Sequence, residues 1–95
     1  MERSIDITLY GRPECRLCDE AKATLGRVAP AYAAAVREVN IASDPELLAR
    51  FGEEIPVVFV DGRKAFKFRV PERELRRRLD RALAERRGGP QEAAR

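Results

Sequence analysis

The sequence predicts an α/β fold with the element order β-α-β-α-β-β-α, a four-stranded mixed sheet with three helices. Three observations predict it. The alternating run Ile5-Asp6-Ile7-Thr8-Leu9 gives way to Leu17, Ala21, Leu25 and Val28 at helical spacing. The apolar run Ile55 to Val60 is followed by Asp61-Gly62 and a returning run, the pattern of a hairpin. Leu75, Leu79 and Leu83 then recur every fourth residue, as on the buried face of a helix.

The elements follow in order. Ile5 to Tyr10 reads as the first strand, with Ile5, Ile7 and Leu9 on one face, and Gly11 and Pro13 break it. The first helix runs through the helix-forming stretch Asp19-Glu20-Ala21-Lys22-Ala23 and stops before Pro30. Residues 30–35 fit either a last helical turn or a connector, and Val36 to Ile41 alternates as a second strand. Asp44 is placed to cap a short second helix with Pro45 at its first position. That helix carries Leu47, Leu48 and Phe51 on its apolar face, with Gly52 in the left-handed position after it. Ile55 to Val60 forms a buried third strand opening with proline, and Lys64 to Phe68 returns as the fourth, with Phe66 and Phe68 in the core. Pro71 starts a third helix with Glu72 and Glu74 in its first turn, and Arg76, Arg77, Arg78 and Arg81 off its core face. Gly88-Gly89-Pro90 ends it. Residues 1–87 then make one domain, and residues 88–95 a flexible C-terminal tail. The first three strands are expected to run parallel through right-handed crossovers, with the fourth antiparallel.

The only two cysteines, Cys15 and Cys18, stand three apart between the first strand and the first helix. In a chain of βαβ character that placement reads as a thiol redox motif. Positions i and i+3 share one face of a helix, so the two sulfurs can close a small ring or open it. Cys15 falls at the helix start, where free N–H groups and the helix dipole favour negative charge. Its thiolate pKa is expected to drop from about 8.5 into roughly the 5–7 range. Arg12 and Arg16 push the same way, and Glu14 and Asp19 oppose them. Cys18, one turn in and more covered, keeps its proton longer. Cys15 therefore attacks, and Cys18 resolves the mixed disulfide. Tyr10, at the end of the first strand, is a candidate to position substrate beside the sulfurs.

Composition narrows the alternatives. With 44% apolar and 37% charged residues over 95 positions, the chain suits one soluble domain with a modest core. No apolar run approaches the ~20 residues of a membrane span. Met1-Glu2-Arg3-Ser4 opens no signal peptide, so the expected location is cytoplasmic. There a redox-active disulfide is a more natural reading than a structural one. The absence of histidine removes Ser-His and Cys-His nucleophilic sites. Two cysteines alone cannot complete a tetrahedral zinc site, so no metal is expected. A net charge of +3 is too small to argue for nucleic acid as a partner.

Cys15-Arg16-Leu17-Cys18 after the first strand, with Ile55-Pro56 opening the third, resembles the thioredoxin fold in its smaller, glutaredoxin-like form. The resemblance covers residues 4 to about 87. It is carried by Leu9 to Ala21, by Asp44-Pro45-Glu46-Leu47 and by Ile55-Pro56-Val57. It implies a nucleophilic Cys15, a resolving Cys18 and a cis-proline at Pro56. A cis bond there would leave the backbone N–H and C=O of Ile55 free to pair with an extended substrate segment. Arg12, Arg16, Ile55 and Pro56, with Tyr10, are then the expected substrate-binding residues. Thioredoxins usually carry Trp before the first cysteine and Gly-Pro between the two, where this chain has Glu14 and Arg16-Leu17. Where glutathione-using relatives carry a Gly-Gly-x-Asp-like stretch, this chain reads Phe68-Arg69-Val70-Pro71-Glu72, and its acid would repel a carboxylate.

The expected activity is thiol–disulfide exchange by a monomer. Its substrates would be protein or low-molecular-weight disulfides, and an external dithiol its reductant. No cofactor is required, and glutathione enters only as a potential co-substrate. Two readings of other classes compete: a non-catalytic binding module, and a glutathione-dependent [2Fe–2S] carrier.

Overall fold

A computed structural model describes residues 4–88 of the chain. Strand β1 (Asp6–Gly11) leads to helix α1 (Arg16–Val28) and a 3₁₀ turn (Ala29–Tyr32). Strand β2 (Ala35–Asn40), a second 3₁₀ turn (Ile41–Ser43) and helix α2 (Pro45–Phe51) follow. The hairpin β3 (Val57–Val60) and β4 (Arg63–Lys67) and helix α3 (Glu72–Gly88) complete the fold. The sheet order is β2-β1-β3-β4. The tail expected over 88–95 lies, beyond Gly88, outside the described residues. No helix among the described residues is long and apolar enough to cross a membrane.

Local chemistry sets the boundaries. Asp44 Oδ1 accepts the N–H groups of Glu46 at 3.0 Å and Leu47 at 3.2 Å, and Pro45 occupies the first helical position of α2. Asp61 and Gly62 both have positive φ, 51° and 83°, as a two-residue hairpin turn demands. Asp61 Oδ1 also accepts the Asp6 N–H and pairs with Arg86 at 2.7 Å, which ties α3 to the hairpin. Tyr32, in the stretch that sequence left open, donates its hydroxyl to Asp80 at 2.9 Å. Partial burial, then the Asp80 carboxylate, push the Tyr32 pKa above its ordinary value.

Several expectations need correction. Strands β1 and β2 are parallel, but β3 runs antiparallel to β1. The seven residues of α2 span about 10 Å, half the roughly 20 Å of the six-residue β2. The connection does not return the chain to the starting end of β2, and β3 sets out from the end where β2 stopped. Gly52 is right-handed, with φ −52°, and space explains the glycine: a Cβ there would stand 2.5 Å from the Leu48 carbonyl oxygen. The third buried residue of α3 is Ala82, with Leu83 only partly covered, because a 3.6-residue period drifts off an every-fourth pattern. Phe68 is not in the core. Strand β4 ends at Lys67, and Phe68 takes φ 69° and turns outward.

Two clusters sandwich the sheet. Ile5, Ile7 and Leu9 pack with Val58 and Val60 against Ala21, Leu25 and Val28 of α1 and Leu75 and Leu79 of α3. On the other face Ile41, Phe51 and Val57 gather Tyr10, Leu47, Ile55 and Phe59 beneath α2. Strand alternation makes this division, since neighbouring residues point to opposite faces.

Candidate active site

The loop from β1 into α1 brings the two cysteines together. Glu14, just before Cys15, has φ 58°, a left-handed conformation uncommon for a residue with a side chain. Cys15 returns to extended backbone and caps α1, its Sγ accepting the Cys18 N–H at 3.1 Å. The Asp19 N–H bonds to the Cys15 carbonyl at 3.0 Å. Cys15 and Cys18 are joined as a disulfide with their Cα atoms 5.2 Å apart. Cys15 is half-buried, whereas Cys18 is only 6% exposed and lies on the same buried stripe of α1 as Ala21, Leu25 and Val28. The sulfur at the helix tip is therefore the more accessible one, and a backbone donor already points at it.

Gly11 makes this seating possible. A Cβ at residue 11 would lie 2.9 Å from Cys18 Sγ and 3.3 Å from Cys18 Cβ. Only a residue without a side chain lets the first turn of α1 come so close to the end of β1. Sequence reading took Gly11 as a strand breaker and missed this role, although its place directly ahead of the loop was a usable signal. Gly11→Ala is expected to destabilise the oxidised protein by about 1–3 kcal/mol, the cost of overpacking a filled site. The reduced protein should lose less, because an unbridged Cys18 can rotate away. At roughly 30 mV per 1.4 kcal/mol, the disulfide becomes easier to reduce by less than the about 20–60 mV that the whole oxidised-state loss would give. Thermal unfolding of both redox states and equilibration in glutathione buffers measure this. Equal losses in the two states would mean that the helix gives way, and the sulfur does not.

The antiparallel course of β3 brings Pro56 to the same end of the sheet. In the β1–β3 ladder Tyr10 is opposite Val57, so the next step sets Gly11 opposite Pro56. A parallel β3 would have left that proline at the far end of β1. The Ile55–Pro56 bond is cis, and the Pro56 carbonyl accepts the Phe68 N–H at 2.9 Å. Glu54, just before, accepts Lys64 Nζ at 2.6 Å, and that hydrogen bond holds its carboxyl below the usual range.

The other expected site residues divide. Arg12 lines a cavity of about 240 Å³ with Gly11, Pro13, Cys18, Lys22 and Glu38, and Lys22 and Glu38 pair across it at 3.2 Å. Arg16 points to solvent and meets Glu20 at 3.7 Å. Tyr10 does not stand beside the sulfurs. Residue 10 alternates to the face opposite residues 9 and 11, and its ring packs on Phe51 and Phe59 at centroid distances of 4.8 and 5.5 Å. Ile55 also leans its side chain into that cluster. Among the described residues no group of three His, Cys, Asp or Glu side chains is placed to hold a metal ion.

A family model described as "Glutaredoxin-like domain (DUF836)" matches residues 6–80. Among solved structures, the X-ray structure of a structural-genomics target protein from X. campestris is 34% identical. The match covers 79% of this chain and 96% of that one, with a TM-score of 0.68. A protein of Nitrosomonas europaea solved by NMR is 20% identical over 83% of this chain and 95% of that one, with a TM-score of 0.71. A mutant thioredoxin from Halobacterium salinarum is 15% identical over 83% and 74%, with a TM-score of 0.64. The last two, at these identities, speak for the fold alone. No curated protein matches the chain.

Proposed function

This chain belongs to the glutaredoxin-like (DUF836) family, and from that premise we propose that it is a thiol–disulfide oxidoreductase with Cys15 as nucleophile and Cys18 as resolving thiol. The observation that carries the reading is the asymmetry of the pair. Cys15 Sγ sits at the N-cap of α1 and accepts a backbone N–H at 3.1 Å, while Cys18 is buried behind it. A donor aimed at one sulfur favours its anion, and the thiolate is the attacking species.

In the reduced protein the Cys15 thiolate attacks one sulfur of a substrate disulfide. A new S–S bond to Cys15 forms as the substrate S–S bond breaks, and the leaving thiolate takes a proton from water. Cys18 then gives up its proton and attacks Cys15 Sγ. The intramolecular disulfide forms and the second substrate thiol departs. Two electrons have passed from the Cys15–Cys18 dithiol to the substrate. An external dithiol, or two molecules of glutathione, returns them. Pro56 stands opposite Gly11 by register but is itself fully buried, so a substrate segment would meet the partly exposed Ile55 ahead of it.

Alkylation of the reduced protein with iodoacetamide across pH tests the first step. The rate at Cys15, identified by mass spectrometry, should rise with a midpoint well below the ordinary 8.5 of a free thiol. Cys18 should react slowly throughout. A Cys15 midpoint at 8.5 would favour the non-catalytic binding module instead.

A further inference from the structure

Phe68 has two properties that a folded core does not call for. Its φ is 69°, a left-handed value at which a bulky side chain is a genuine outlier. It is also 44% exposed, more than Val36 or Leu48, the other exposed large apolar residues described. Strained, uncovered residues of this kind cluster at binding sites. Phe68 meets two residues that adjoin the disulfide, one in sequence and one by register. Its N–H donates to the Pro56 carbonyl at 2.9 Å, and its side shares a cavity of about 260 Å³ with Leu17, the residue between Arg16 and Cys18. Val70 and Pro71 complete the apolar wall.

The surrounding charge is positive. Lys67 Nζ lies 5.6 Å from the Phe68 ring centroid. Arg16 and Arg69 share one acid, Glu20, at 3.7 and 3.9 Å, and the Glu72 carboxylate beyond Pro71 is taken up by Arg27 and Arg76 at 3.2 and 3.1 Å, so cations outnumber acids along this rim. Two backbone donors here are already committed: the Phe68 N–H to Pro56, and the Arg69 N–H to the Lys67 carbonyl at 2.8 Å. Neither remains to grip the carboxylate of a small peptide thiol. What the rim offers is an aromatic face and loose positive charge.

We propose that Phe68 sets the specificity of this site by receiving an apolar side chain from an acidic, disulfide-bearing protein segment docked across Leu17. The proposal rests on the oxidoreductase reading for its reaction and on the rim for its occupant. Complementary charge draws the segment in, and the apolar contact holds it. A small disulfide presents neither feature.

The test is the ratio of kcat/KM for insulin to that for bis(2-hydroxyethyl) disulfide, in wild type, Phe68→Gly and Phe68→Leu. Phe68→Gly should lower the ratio about tenfold, chiefly through KM for insulin, the effect of losing one well-packed apolar contact. Phe68→Leu should recover most of it. The melting temperature of Phe68→Gly should equal or exceed that of wild type, because glycine takes positive φ freely. An unchanged ratio overturns the proposal, whatever happens to the melting temperature. A wild-type protein that reduces neither disulfide would instead end the oxidoreductase reading. Binding then decides on Phe68: a fluorescent acidic peptide bearing one leucine is titrated into the Cys15→Ser/Cys18→Ser protein with and without Phe68→Gly. Tighter binding with Phe68 present supports the assignment, and equal binding overturns it.

Discussion

Cys15→Ser is expected to abolish disulfide turnover, and Cys18→Ser to halt it midway with substrate bonded to Cys15. A serine hydroxyl does not ionise near neutral pH, so the helix-tip donor has no anion to stabilise and no nucleophile remains. The loss should be three orders of magnitude or more, the scale seen when a covalent nucleophile is removed. Cys18→Ser leaves the first attack intact, because Cys18 contributes its backbone N–H to Cys15 Sγ, and that N–H survives the substitution. What it lacks is the thiol that expels the product. Non-reducing electrophoresis or intact mass after mixing with a protein disulfide should show the adduct on Cys18→Ser and none on Cys15→Ser. Turnover of Cys15→Ser at the wild-type rate would remove the mechanism. An adduct carried by Cys15→Ser would reverse the roles of the two sulfurs.

The placement of the cysteines was legible because it follows from spacing and from one boundary. A Cys-x-x-Cys that begins where a strand pattern turns helical puts its first sulfur at the cap, and the cap is where Cys15 lies. The elements were legible for the same reason: period two and period 3.6 are local properties. Strand direction is not local. The antiparallel β3 sets out from the end where β2 stopped, and a sequence pattern does not state where the connecting helix points. Tyr10 was assigned by its nearness to Cys15 along the chain, whereas strand alternation sends it to the α2 face with Phe51. Phe68 was assigned by its hydrophobicity, and only its positive φ separates it from Phe66, which does pack on the core. Gly11 was read as a break, yet it is still within β1, and its requirement comes from the α1 sulfur lying against it. The misses over β3, Tyr10 and Gly11 concern contacts between elements, whereas those over Gly52, Leu83 and Phe68 concern one backbone angle or the drift of a helical period.

Leu25→Ala is expected to lower stability by about 2–5 kcal/mol, the usual cost of an emptied leucine site. Leu25 is buried on α1 between β1 and α3, and it shares its stripe with Cys18 and Ala21. For a domain of this size that is on the order of 10 °C or more in melting temperature, and a large part of a total stability of roughly 5–15 kcal/mol. The thiol chemistry should respond differently. Stabilisation of the Cys15 thiolate comes from the N–H of Cys18 and the first turn of α1, and helix-end effects fade within a turn. Residue 25 lies nearly two turns beyond Cys18. The alkylation midpoint of Cys15 should therefore stay at the wild-type value in Leu25→Ala, at a temperature where the variant is folded. Urea denaturation and the pH profile of alkylation, run on the same preparation, separate the two properties. A loss below about 1 kcal/mol would mean that α1 is not docked through Leu25. A midpoint that moves with the stability would mean that the reactivity of Cys15 depends on how tightly the whole helix is held, and is not set by its tip alone.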